Sequence, residues 1–131
     1  MSVDVVGDFL TIIRNGIAAS KRSVKAPHSQ LREQIARILK DEGFIVDYGV
    51  EDVREGVKEM TLNLKYKGAE SVIHEIVRMS TPGRRMYRSL DAVEPVIGGL
   101  GVTIISTNRG VMTHKEAKKH AVGGEVICTI W

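Results

Sequence analysis

Leu100-Gly101-Val102-Thr103-Ile104-Ile105 runs straight into Ser106-Thr107-Asn108-Arg109-Gly110-Val111-Met112, and the chain closes on Gly123-Gly124-Glu125-Val126-Ile127-Cys128-Thr129-Ile130-Trp131. The first block reads as an apolar strand and the last as a glycine-led apolar strand. Between them lies a turn of hydroxyls, an amide, a cation and a glycine. Such a turn presents small polar donors at one rigid spot. It carries no catalytic motif, so the pattern predicts a recognition loop, not an active site.

Downstream of the turn, Thr113 can cap a brief helix through Lys119, and the final strand runs from Glu125 to Trp131. Upstream, Val72 to Met79 reads equally as strand or short helix, and Thr81-Pro82-Gly83 as a turn. Arg84-Arg85-Met86-Tyr87-Arg88 then interleaves arginines with an aromatic, and a loop or short helix ends at Gly98-Gly99-Leu100-Gly101. This half is mostly β, with short helices.

In the other half, Asp4 can cap a helix with Val6, Phe9, Leu10, Ile13 and Ile17 at helical spacing. Arg14 falls on or near its polar face, and Asn15-Gly16 marks its end. Ser23 to Ala26 is extended and stops at Pro27. Ser29 caps a second helix with a stripe of Leu31, Ile35, Ile38 and Leu39, closed by Gly43. Phe44 to Tyr48 is a strand, and Met60, Leu62, Leu64 and Tyr66 alternate with polar residues in another. The acidic, glycine-containing segment between them reads as a hairpin loop. The expected fold is α/β (α+β): two small, closely packed domains. Residues 1–66 form an α-β-α-β-β domain, 67–71 a short linker, and 72–131 a β-rich domain.

The chain has 131 residues, 43% of them apolar and 27% charged, which is ample for a core. No window approaches the run of about 18 apolar residues that a membrane helix needs. The N-terminus lacks the basic-then-apolar pattern of a secretory signal. Cys128 is the only cysteine, which excludes an internal disulfide and a thiolate-rich zinc site and favours a reducing cytoplasm. The net charge of +3 is unevenly placed. Lys and Arg number seven against three acids in 1–40, four against nine in 41–75, and eight against four in 76–131. Two basic ends around an acidic middle suggest a polyanion held by the outer segments.

No Gly-x-Ser-x-Gly elbow, phosphate loop or His-Glu-x-x-His is present. Gly98, Gly99 and Gly101 have the wrong spacing for a dinucleotide fingerprint. His114 and His120 fall on different helix faces, and His28 and His74 are isolated, so neither metal nor cofactor is expected. Ser106 has no base fixed beside it by local spacing.

RNA suits the chemistry better. Ser106, Thr107 and Asn108 can pair with base edges, 2′-hydroxyls and phosphates; Arg109 adds a cation, and Gly110 permits close backbone approach. Arg84, Arg85 and Arg88 around Tyr87 offer phosphate forks beside a ring on which a base can stack. Lys115, Lys118 and Lys119 make a basic helical edge; a simply solvated face is equally consistent. Glu125 can accept from a base amino group or a 2′-hydroxyl, or orient an arginine; a solvent-facing strand start is equally consistent. Two other classes compete: a small enzyme acting through Ser106, and a protein-interaction module using the apolar C-terminal strand as an edge.

The chain resembles the family of bacterial small-subunit ribosomal protein eight along nearly its whole length. The resemblance covers the opening helix through Arg14-Asn15-Gly16, Pro27-x-Ser29-x-Leu31-Arg32, Ile38-Leu39-Lys40-x-Glu42-Gly43-Phe44-Ile45, and Leu64-Lys65-Tyr66. It continues through Pro82-Gly83-Arg84-Arg85-x-Tyr87 and Gly99-Leu100-Gly101. Its most specific part is Ser106-Thr107-x-x-Gly110-Val111-Met112-Thr113 with Glu116-Ala117 and Gly123-Gly124-Glu125-Val126-x-Cys128. The resemblance implies a structural constituent of the small subunit, without catalysis. It implies direct binding to the central domain of 16S ribosomal RNA, early in assembly, at an irregular helix. Small-subunit proteins five and twelve are implied neighbours, the protein's own operon messenger RNA a second ligand as in some members, and the cytoplasmic ribosome the location.

By position, the resemblance places RNA contacts at Ser106, Thr107, Gly110, Gly124 and Glu125, with supporting contacts at Tyr87 and Arg85. A second, N-terminal RNA-facing surface would carry Arg14, Asn15 and Arg32. Four positions depart from the family's usual residues: Val5 replaces proline, Asn108 serine, Arg109 lysine and Thr129 tyrosine.

Overall fold

The computed structural model describes residues 4–81, 83–84, 86–88 and 101–131. Pro82, Arg85 and the Gly98-Gly99-Leu100 stretch lie outside the described residues. Two units divide the chain, residues 5–73 and residues 74–131 with Asp4.

In the first unit, α1 (Val5–Ala18) buries Val6, Phe9, Leu10 and Ile13, as the spacing requires. The helix does not end at Asn15-Gly16. A Cβ at Gly16 would collide with the Val24 side chain, so this glycine admits β1 (Ser23–Pro27) to close contact with the helix. The left-handed residue that closes the turn is Ser20, with φ 53°. Ser29 caps α2 (Gln30–Asp41), its hydroxyl accepting from the Arg32 N–H at 3.1 Å. Gly43 takes φ +80° beyond the helix end, a conformation glycine adopts without steric cost.

β2 (Ile45–Arg54) and β3 (Val57–Leu64) pair antiparallel, and β1 lies on the other side of β3. Met60, Leu62 and Leu64 point into the core, which is the period-2 alternation seen in the sequence. The expected hairpin loop is a two-residue turn at Glu55-Gly56, and the ladder extends almost to it. Its outer part was hidden because the backbone pairs beyond the core: Val46, Val50, Val53 and Val57 are all exposed among acids. Residues 67–71, expected as a linker, hold most of a ribbon, β4 (Tyr66–Lys67) against β5 (Glu70–Ser71), turning at Gly68. The Tyr66 hydroxyl ties it to this unit by donating to the Lys21 carbonyl at 2.6 Å.

The second unit contains β6 (Ile76–Arg78), β7 (Tyr87–Arg88), β8 (Val102–Thr107), β9 (Gly110–Thr113), α3 (His114–Lys119) and β10 (Gly124–Ile130). They make one antiparallel sheet in the order β6-β10-β8-β9, with β7 also on β10. Ile104, Ile105, Cys128 and Ile130 are buried. Thr113 caps α3 by accepting from the Glu116 N–H at 3.1 Å, which sets Ala117 over Ile105 and Met112. β10 pairs β8 along one side and β6 and β7 along the other. The closing strand therefore offers no open edge to a partner protein, which removes the edge-docking reading.

Candidate nucleic-acid interface

The recognition turn is built by its own side chains. Thr107 pairs with Gly110, leaving Asn108 and Arg109 as the two turn residues, both exposed. The Thr107 hydroxyl accepts from the Arg109 N–H at 3.1 Å and donates to the Gly110 carbonyl at 2.9 Å. Its hydrogen bonds therefore shape the loop. Gly110 has φ +114°, a conformation a Cβ would strain.

The sheet places three of the sequence-predicted residues in one row. Glu125 of β10 stands opposite Tyr87 of β7 on one side and Ser106 of β8 on the other. Opposed residues of antiparallel strands project on the same face, so ring, carboxylate and hydroxyl line up across the sheet. Tyr87 is 65% exposed, an unusual state for a large ring, and Glu125 and Ser106 are half-buried. Gly124 stands beside this row for a steric reason: a Cβ there would fall on the Ser106 carbonyl oxygen. Without that glycine β10 could not approach β8 closely enough to set Glu125 beside Ser106. A register irregularity between Val126 and Cys128 follows at once, a feature that re-aims neighbouring side chains.

Ser80 is a residue that sequence reasoning missed. It is 2% exposed, and its hydroxyl donates to Glu125 Oε2 at 2.6 Å while accepting from the Met86 N–H at 3.1 Å. Forty-five positions separate Ser80 from Glu125, so no local pattern could have revealed the bond. The cations divide by environment. Arg84, Arg109, Lys115, Lys118 and Lys119 are exposed in this unit, and Arg14 and Asn15 are exposed on α1 in the other.

Arg32 differs from all of them. It is 8% exposed, donates from Nε to the Val5 carbonyl at 3.3 Å and from Nη1 to the Pro27 carbonyl at 2.8 Å. Its guanidinium also lies 6.0 Å from the Phe9 ring centroid. These contacts tie α1, β1 and α2 together and keep the side chain inward, where an exposed position was expected. Arg85 lies outside the described residues. Among the described residues no group of three or more His, Cys, Asp or Glu could hold a metal ion. No described helix is long and apolar enough to cross a membrane.

Comparison with known proteins identifies the family of the chain. Residues 4–131 match the family described as Ribosomal protein S8. The small ribosomal subunit protein uS8 of Thioalkalivibrio sulfidiphilus is 52% identical over 127 residues, covering 97% of this chain and 96% of that protein. Those of Paramagnetospirillum magneticum and Agrobacterium fabrum are each 47% identical over 128 residues, covering 98% of this chain and 97% of theirs. On a match that spans nearly its whole length, the chain belongs to the ribosomal protein S8 family, a family of structural ribosomal proteins and not of enzymes.

Proposed function

We propose that the chain binds small-subunit ribosomal RNA directly, at an irregular helix of the 16S central domain, and helps to nucleate assembly there. The observation that supports this most is the row of Tyr87, Glu125 and Ser106 beside the Asn108-Arg109 turn. RNA of irregular shape is read through unstacked bases, 2′-hydroxyls and base edges in an accessible minor groove. The exposed Tyr87 ring supplies a stacking surface, and Ser106 both donates and accepts. Glu125 accepts from a base amino group or a 2′-hydroxyl, and a carboxylate repels bare phosphate. An acid in the row therefore favours discrimination over simple charge attraction.

Arg109, Lys115, Lys118 and Lys119 supply the phosphate contacts that give affinity its salt dependence. Arg14 and Asn15 make a second contact from α1. Thr107, Gly110 and Gly124 act by shaping the backbone. Small-subunit proteins five and twelve are the proposed protein neighbours on the ribosome, and a messenger segment of the same shape would use the same face.

The test is binding of the protein to a central-domain RNA hairpin and to a fully paired duplex of equal length, over a range of salt. The reading expects the hairpin to be preferred at least about 100-fold at physiological salt. Equal affinities would contradict it.

A further inference from the structure

Ser80 has no role in the reading above, yet its surroundings are specific. A serine hydroxyl carries one proton and two acceptor lone pairs. Here the Met86 N–H occupies an acceptor position at 3.1 Å, and the proton is directed at Glu125 Oε2, 2.6 Å away. The backbone of Ser80 is fixed as well. Its N–H donates to the Ile127 carbonyl at 3.4 Å, and its carbonyl accepts from Arg78 Nε. Arg78 is itself held by Asp4, with Nη1 3.0 Å from Oδ1. The Met86 carbonyl in turn accepts from the Val126 N–H at 2.8 Å. One hydroxyl thus joins the segment leading into Tyr87 to the carboxylate opposite Tyr87.

We infer that Ser80 is a positioning residue for RNA discrimination, whose buried hydroxyl sets the Glu125 carboxylate and the Met86-Tyr87 backbone in the geometry that reads the cognate RNA. The inference rests on Glu125 being a recognition residue, as proposed above. Ser80 is 2% exposed and cannot itself present its hydroxyl to RNA. Its influence passes through its neighbours. A carboxylate already oriented by a charge-assisted hydrogen bond loses less side-chain freedom when a ligand arrives.

The experiment measures hairpin and duplex affinities for the unaltered chain, Ser80→Ala, Ser80→Cys, Glu125→Ala and the double variants. Cysteine nearly preserves volume and is a weak donor, so it keeps the test open where alanine fails to fold. Thermal unfolding and duplex binding report the fold. The Ser80 variants are expected to lower the hairpin-to-duplex ratio about tenfold, the typical effect of a lost hydrogen bond to a charged group. Duplex affinity and its salt slope should stay unchanged, and Ser80→Ala should add nothing in the Glu125→Ala background.

A folded Ser80 variant with an unchanged ratio, while Glu125→Ala lowers it, overturns the inference and leaves the site standing. Additive losses in the double variants also overturn it, as does failure of both Ser80 variants to fold. An unchanged ratio in Glu125→Ala overturns the reading of the site and takes the role of Ser80 with it.

Discussion

Arg32 and Arg109 are the same residue type in regions that use it in opposite ways. At the junction of α1, β1 and α2, the Arg32 side chain is buried against Phe9 and donates to the carbonyls of Val5 and Pro27. At the β8–β9 turn, Arg109 is exposed and its backbone N–H, held by Thr107, keeps the loop in shape. A guanidinium that satisfies internal acceptors holds the fold; one raised on a rigid turn is left open to an outside anion. Charge counted along the sequence cannot separate the two.

Breaking the first region should cost most. Arg32→Ala removes two hydrogen bonds from a charged donor and the packing over Phe9, and should destabilise the protein by about 3 kcal/mol. Urea unfolding measures this, and the hairpin-to-duplex ratio of the still-folded fraction should not change. A large change in that ratio with unaltered stability would place Arg32 at the RNA after all.

Gly124→Ala acts in the second region by steric means. Its methyl would meet the Ser106 carbonyl, so β10 must shift away from β8. We expect about 2 kcal/mol of destabilisation, within the range for overpacking, together with a lost preference for the hairpin. Unfolding and RNA titration on the same sample read both effects.

Ser106→Ala should leave stability nearly unaltered and lower the hairpin-to-duplex ratio about tenfold, with the salt slope unchanged. Replacing Lys118 and Lys119 by Gln should do the reverse. Affinity for hairpin and duplex should fall together, and the slope of log affinity against log salt should flatten by about 1 to 2. An unaltered slope would show those lysines facing only solvent.

Much of the fold was legible in the sequence. Helical spacing revealed α1 and α2, alternation revealed β3, and Ser29 and Thr113 declared themselves as caps because capping is a local reaction of a hydroxyl with a nearby amide. What stayed hidden depended on partners distant in the chain. The outer half of β2 carries no burial pattern, so only its pairing with β3 identifies it as strand. Gly16 looked like a helix end because its true role, admitting Val24, is a tertiary contact.

The site divides in the same way. The turn from Ser106 to Gly110 was readable from residue types alone. That Glu125 stands between Tyr87 and Ser106 follows from strand order, and that Ser80 holds it follows from a bond across forty-five positions.

The central claim is that the C-terminal unit reads RNA with the row of Tyr87, Glu125 and Ser106 and the turn beside it. Backbone amide shifts of the isotope-labelled protein, followed by NMR during titration with the central-domain hairpin, test it most directly. The account predicts the largest changes at residues 86–88, 106–110 and 124–125, with smaller ones at Arg14 and Asn15 and none at Arg32. Changes concentrated on β2 and β3, with the row undisturbed at saturation, would contradict it.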